Sequence, residues 1–342
     1  MGCRFGAVRW LSANARRQAA TSNVCFSHVM NDSASRKFPD PAILDFGCDS
    51  EGMGRRLEQL GGIVVDRPLP ATQAVRCQEA LWKTATIVFH ESSRGQGHWD
   101  IRGRLPDPWQ VEVPLADGSL RLAVRPAPSG QVGVFLEQQS QWQWLTRVTT
   151  PGSRVLSLFA HSGAASLALA QAGAEVVHVD SSRQAMDLAR TNATASGLDA
   201  APIRWICEDA QRFVTRELRR GNRYDGIVLD PPSWGHGPKG EAFAIDRDLP
   251  SLLADCGQLL HDEASGPVLL SAHSPGWPPH RLHEILHESL AARLPTAGPL
   301  ESGALTCRDL AGRHLPLGGF ARASGLPEQT QPQPDAQQEA TP

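Results

Sequence analysis

Several signals that would assign a function at once are missing from this chain. Its 342 residues carry seven cysteines, scattered and with no C-x-x-C pair, so neither a disulfide framework nor a zinc site is readable. Free thiols in a reducing cytosol are expected, and with them a cytoplasmic location. No apolar run reaches the length needed to span a membrane, so no membrane partner is expected. The net charge of −3 leaves no electrostatic footprint for nucleic acid, although a local basic face stays open. The G-x-G-x-x-G fingerprint of nicotinamide sites is absent. His280, His283 and His287 fall roughly on one face of a predicted helix, but no acid or cysteine set stands near them. They are read as a solvated face, and no metal is expected. Nothing in the sequence fixes the oligomeric state.

The ends are compositionally apart. Residues 1–40 hold Arg4, Arg9, Arg16, Arg17, Arg36 and Lys37, with no acid before Asp32. This stretch lacks the apolar core of a secretory signal. It is expected to be a disordered leader, or a misassigned start with Met30 as the first residue; an organellar transit segment is the alternative. Residues 325–342, rich in Gln and Pro, are expected to be a disordered tail. Between them lie a small β-rich module (41–128) and a larger α/β domain (129–324), and a hydrophobic content of 41% supports a packed core.

The larger domain is organised by a strand–helix series. Val155 to Phe159 is a short apolar run suited to a strand buried on both faces. Ala160-His161-Ser162-Gly163 follows, then the helix-forming run Ala164 to Ala170. A strand that turns through glycine into a helix lets a ligand approach backbone and helix N-terminus. Phe159, Ala160, Ser162 and Gly163 are therefore candidate ligand contacts. Ala174 to Val179 is the next strand and delivers Asp180, placed to bind a ribose hydroxyl pair. Pro202 to Cys207 is a third, followed by Asp209, which can hydrogen-bond an adenine amino group. Tyr224 to Leu229 is a fourth and delivers Asp230. Taken singly, Gly163 fits a plain turn, and Asp180 or Asp209 fits a helix cap. Jointly, three acids fall in turn after three successive strands, at the sheet edge where open α/β folds bind ligands.

Asp230-Pro231-Pro232-Ser233-Trp234 is the most specific motif. Two prolines stiffen the backbone and remove donors. Asp230 and the loop carbonyls can accept hydrogen bonds from the amino group of a base. Trp234 can stack on a planar substrate, or simply pack. The loop beyond it carries Gly235, Gly237, Gly240 and Lys239, a lysine able to meet a phosphate.

The segment LSLFAHSGAASLALAQAGAEVVHVDSSRQAMDLARTN, with RWICEDAQRFV and YDGIVLDPPSWGHGPKGEAF, resembles the methyltransferase domain of the ribosomal large-subunit RNA methyltransferase I and K group. The resemblance extends to GVFLEQQSQWQWL upstream and to LLSAHSPGW and GRHLPLGGFARAS downstream, about residues 130–324, and more weakly from Ile43. It implies a Rossmann-like class I methyltransferase fold, S-adenosylmethionine (SAM) as cofactor, and a base of 23S-like ribosomal RNA as substrate. It also implies a lid over the cofactor at Gly133 to Gln138, with Phe135 and Gln138 as cofactor contacts. Asp230, Pro231, Pro232 and Trp234 become candidate catalytic residues. One departure bears on the chemistry. Members that methylate cytosine carbon-5 carry a cysteine after the last core strand; this chain has Ser271-Ala272-His273-Ser274. Carbon-5 transfer needs a thiolate, whereas transfer to nitrogen needs only proximity and a neutral lone pair. His273 can take a proton, hold substrate, or be a plain core histidine. A protein or small-molecule methyltransferase, a nicotinamide oxidoreductase, and a non-catalytic RNA-binding protein keeping the fold remain as alternatives.

The N-terminal module is predicted to be mostly β, with strands near Ala42–Gly47, Ile63–Val65, Trp109–Val113 and Leu120–Val124, a turn at Asp117-Gly118, and a helix near Cys77–Trp82. It either grips RNA or serves packing alone.

Overall fold

The computed structural model describes residues 38–93, 95–236, 242–262, 265–290 and 299–325. The leader before Phe38, the tail beyond Gly325, and Lys239 with Gly237 and Gly240 lie outside the described residues.

The chain first builds a five-stranded sheet from β1 (Ala42–Cys48), β2 (Gly54–Leu60), β3 (Ile63–Pro68), β4 (Ile87–Ser93) and β5 (Gln96–Ile101), in that spatial order. All neighbours are antiparallel except β3 and β4. A parallel pair needs a crossover, and the stretch carrying the one-turn helix α1 (Glu79–Trp82) supplies it. Its N-terminal end is held by Asp45, fully buried on β1, which accepts from the Cys77 and Gln78 amides and from Trp82 Nε1 at 2.8–3.2 Å. A hairpin of β6 (Gln110–Pro114) and β7 (Ser119–Ala123) follows. Gly118, at φ 79°, provides its left-handed turn position. A short 3-10 turn (Leu136–Gln138) leads into α2 (Gln139–Val148).

The larger sheet has seven strands. In chain order come β8 (Arg154–Leu158), α3 (Ala164–Gln171), β9 (Glu175–Asp180), α4 (Arg183–Ala195), β10 (Ile203–Cys207), α5 (Ala210–Arg219) and β11 (Gly226–Leu229). A small hairpin of β12 (Trp234–His236) and β13 (Ala242–Ala244) leads to α6 (Ile245–Leu259), β14 (Val268–Ala272), α7 (Pro279–Leu290), β15 (Glu301–Arg308) and β16 (His314–Ala323). The spatial order is β10-β9-β8-β11-β14-β16-β15. The first five are parallel, and β16 is inserted antiparallel between β14 and β15.

Strand periodicity explains the two covered faces. Ile227 and Leu229 of β11 join a cluster with Phe213, Leu249 and Leu286 from α5, α6 and α7. Val228, between them, packs with Trp144 and Leu145 of α2 and Leu169 of α3 on the other face. Both faces are covered, so the strands read as unbroken apolar runs. Trp142 and Trp144 are core residues, 5% and 3% exposed. A further cluster joins Leu60, Val65 and Ile87 of the first sheet to the β6–β7 hairpin and to Leu167 and Ala168 of α3, making the two sheets one packed body.

The helix ends follow their local chemistry. Gly163 (φ 83°) is the N-cap of α3, and Gly173 (φ 91°) and Gly197 (φ 71°) follow the ends of α3 and α4 in left-handed geometry. Ser182 caps α4 by accepting from the Ala185 amide at 3.2 Å.

Candidate active site

The chain runs from β8 outward to β10, then returns to lay β11 and β14 on the other side of β8. That reversal is the switch point where open α/β sheets bind ligands, at the carboxyl ends of the strands. A cavity of about 590 Å³ opens there. Its wall includes Phe159 to Ser162 after β8, Asp180 at the end of β9, Asp230 to Ser233 after β11, and Ser271 and His273 around the end of β14. Phe135 and Gln138 line it from the segment before α2.

The turn after β8 is strained. Phe159 was expected to end the strand, but it stands beyond it at φ 54°, and His161 is at φ 45°. Non-glycine residues rarely adopt this region, and such backbone gathers at ligand sites. Three side chains hold the turn. Both oxygens of Asp180 accept backbone amides at 2.8 Å, one from His161 and one from Ser182. Asn192 of α4, fully buried, donates to the Ser162 carbonyl at 2.8 Å and accepts from the Ala123 amide of β7 at 2.7 Å. His178 of β9 meets Ser166 Oγ of α3 at 2.9 Å. Burial, with His161 and Arg190 adding to it, lowers the His178 pKa to about 3. A Cβ on Gly163 would stand 3.0 Å from Ala189 Cβ and 3.5 Å from His178 Cε1.

A second network fixes Asp230. Ser271 Oγ donates to Asp230 Oδ1 at 2.8 Å, and Gln138 Nε2 donates to Ser271 Oγ at 3.0 Å. Gln138 Nε2 also lies 3.3 Å from His273 Nε2, while His273 Nδ1 is 3.1 Å from the Leu317 carbonyl. A carbonyl only accepts, so Nδ1 donates to Leu317, and Nε2 lies 3.9 Å from Asp230 Oδ1. Phe135 lies between two loops, its ring 5.4 Å from that of His161 and 6.5 Å from that of His273. Ser233 Oγ donates to Ser274 Oγ at 2.7 Å, tying the proline loop to the end of β14. Phe243 of β13 packs on Phe159 at 5.0 Å.

Thus Phe135, Gln138, Phe159, Ala160, Ser162, Asp180, Asp230, Pro231 and Pro232 share one cavity wall, and Gly163 sits at its turn. Asp209 and Trp234 are not on that wall. Asp209 caps α5, its Oδ1 accepting from the Arg212 amide at 3.0 Å. Trp234, on β12, is 56% exposed. No cysteine stands on the described wall. Burial raises the Cys256 thiol out of reach of a thiolate, and burial with Glu137 beside it pushes Cys307 up to about 12. Among the described residues no group of three or more His, Cys, Asp or Glu comes together to hold a metal, and no helix is long and apolar enough to cross a membrane.

Sequence reasoning did not single out Arg56, Arg67, Asn192 or His178. Each is brought in by tertiary structure. The positive charge of Arg56 and Arg67 within an apolar-patterned strand pair was the one available sign.

The strand order, the strained glycine turn and the acid at the end of the second strand define a nucleoside-cofactor methyltransferase fold. The family model for S-adenosylmethionine-dependent methyltransferases matches residues 104–289, and the chain belongs to that family. A SAM-dependent methyltransferase from Agrobacterium tumefaciens is 35% identical to it, with 85% of this chain and 92% of that one covered and a TM-score of 0.74. The ribosomal RNA large subunit methyltransferase I of Aeromonas hydrophila is 27% identical over 67% of this chain and 51% of its own. That of Aeromonas salmonicida is 28% identical over 56% and 45%. The chain therefore spans about half the length of these curated relatives. Its cofactor is SAM. The cavity fits that molecule: its volume lies in the range of small-molecule sites, and it offers a carboxylate at Asp180, apolar walls at Phe159 and Pro231, and the side chains of Arg56 and Arg67.

Proposed function

We propose that this protein methylates a nitrogen of a base in large-subunit ribosomal RNA. When bound, SAM supplies an activated methyl group. Asp180 is assigned to the ribose hydroxyls, and the turn from Phe159 to Gly163 to the remainder of the cofactor. The observation that carries the choice of acceptor is the Asp230 loop beside a wall without cysteine. Asp230 is held by Ser271, itself held by Gln138, so its free lone pairs and the proline-loop carbonyls are set to accept from an amino group. Catalysis on this reading is positioning. His273, 3.9 Å from Asp230, is assigned to holding the acceptor. Trp234, exposed beside the loop, offers a ring for stacking. The names of the Aeromonas relatives support ribosomal RNA as the substrate class.

The test is methyl transfer from labelled SAM to large-subunit ribosomal RNA prepared without its modifications, followed by nucleoside mass spectrometry. An N-methylated nucleoside is expected. Formation of 5-methylcytidine, or label that never enters RNA, would overturn the proposal. The net charge of −3 favours, as second reading, a protein or small-molecule acceptor. Label recovered in protein or in the small-molecule fraction would support it.

A further inference from the structure

The methyltransferase site has a wall that comes from outside the cofactor-binding sheet. Arg56 of β2 and Arg67 of β3 face each other across their strand pair, and both line the cavity. Two like charges directly opposite repel, and burial makes this worse. Arg67 is satisfied: it forks onto both oxygens of Glu58 and donates to Gln131 Oε1 at 3.1 Å. Burial and the neighbouring Arg56 nevertheless hold its pKa below the ordinary arginine value.

Arg56 is ion-paired but not hydrogen-bonded at two of its nitrogens. It is 5% exposed, and its Nε and Nη1 are buried with no hydrogen-bond partner. Its two counter-charges stand off, Glu58 at 3.5 Å and Glu137 at 3.8 Å. Burial works to lower its pKa, but the Glu58 and Glu137 carboxylates outweigh it and hold the group charged. Glu137 itself lines the cavity, between Phe135 and Gln138 in the segment before α2. Buried guanidinium donors are rarely left idle, and a planar fork matches a carboxylate.

The cofactor carries one carboxylate, on its amino-acid tail. Three amides of the glycine turn are already engaged. The amides of Ala160, His161 and Gly163 are engaged by the Val179 carbonyl, the Asp180 carboxylate and the Ala160 carbonyl. The first turn of α3 offers partial charge only. Arg56 and Arg67 are the guanidinium groups on the described wall.

We propose that Arg56, backed by Arg67, is the subsite for the carboxylate of the SAM amino-acid tail, so that the N-terminal module completes the cofactor site. This rests on SAM being the cofactor. The test is titration calorimetry of the full chain with SAM and with decarboxylated SAM, which lacks only that group. Wild type is expected to bind SAM at least about 30-fold more tightly than the decarboxylated form, the loss typical of one partner of a buried charge pair. Arg56→Gln is expected to bind SAM as weakly as wild type binds the decarboxylated form, and to leave affinity for the decarboxylated form unchanged. Arg56→Lys should recover part of the discrimination. Equal wild-type affinity for the two forms overturns the proposal without any variant. So does an Arg56→Gln protein that keeps the discrimination, or one that loses both ligands alike. A wild-type protein that bound neither form would instead overturn the cofactor assignment, and this subsite with it.

Discussion

Asp180 commits one lone pair of each carboxylate oxygen to a backbone amide and still faces the cavity. It holds the strained turn, and on the function proposed above it also meets the ribose. Asp180→Ala removes both, and SAM affinity is expected to fall about 100-fold by titration calorimetry, the worth of one or two charged hydrogen bonds. Asp180→Asn keeps one acceptor and should lose less. Equal affinity in the Ala variant and wild type would remove Asp180 from the site. The position of Asp180 on the cavity wall was legible in the sequence, because an acid at the end of the second strand of a βαβ unit has a fixed place relative to the glycine turn. Asp209 was read by the same rule; it caps α5 and is not on the described wall. Arg56 and Glu137 were not legible: about eighty residues separate them, and only tertiary packing makes their charges neighbours.

At the scale of elements, β8, α3 and β9 form one unit, with His178 as its internal post. It is buried and neutral, with Nδ1 on Ser166 Oγ and Nε2 without a partner. Its folded pKa of about 3 lies below the ordinary 6.5. Below pH 6.5 the unfolded chain therefore takes up a proton that the folded chain refuses. The stability from this group is fully present above 6.5 and is lost as pH falls toward 3, at up to about 1.4 kcal/mol per pH unit. Denaturant unfolding of wild type and His178→Gln across that window should show a flatter pH dependence in the variant. Identical slopes would show that His178 does not titrate as described. Strand and helix identities in this unit were readable from apolar runs and glycine punctuation. The boundary at Phe159 was not, because an apolar residue continuing a strand looks the same as one bent into left-handed geometry by the packing around it. The first sheet was readable as β-rich, but its parallel β3–β4 pairing depends on where α1 carries the chain, which no periodicity records.

The whole molecule is held together by more than shared apolar contacts. Arg313, in the turn between β15 and β16, reaches back to the first sheet. Its Nη2 bonds Asp45 Oδ1 at 2.5 Å and the Phe46 carbonyl at 2.8 Å, its Nη1 bonds the Val75 carbonyl at 2.7 Å, and Asp309 anchors it at 2.7 Å. Asp45 and Asp309 are buried, so Arg313→Ala leaves two carboxylates with hydrogen bonds but without this counter-charge. The expected cost is about 3 kcal/mol, or roughly 5–10 °C in Tm for a body of this size. An unchanged Tm would show that the two sheets are joined by the apolar cluster alone. The cavity is walled from both sheets, so on the proposed reading the variant should also bind SAM more weakly.

The most direct test of the central claim, that this cavity binds SAM at one end and transfers its methyl at the Asp230 loop, is single-turnover transfer by Asp230→Ala with SAM affinity measured on the same preparation. The account predicts SAM binding within about threefold of wild type and transfer reduced by at least about 100-fold, the loss of an interaction that positions the acceptor rather than the cofactor. Transfer at the wild-type rate would contradict it, because the loop would then have no part in presenting the acceptor.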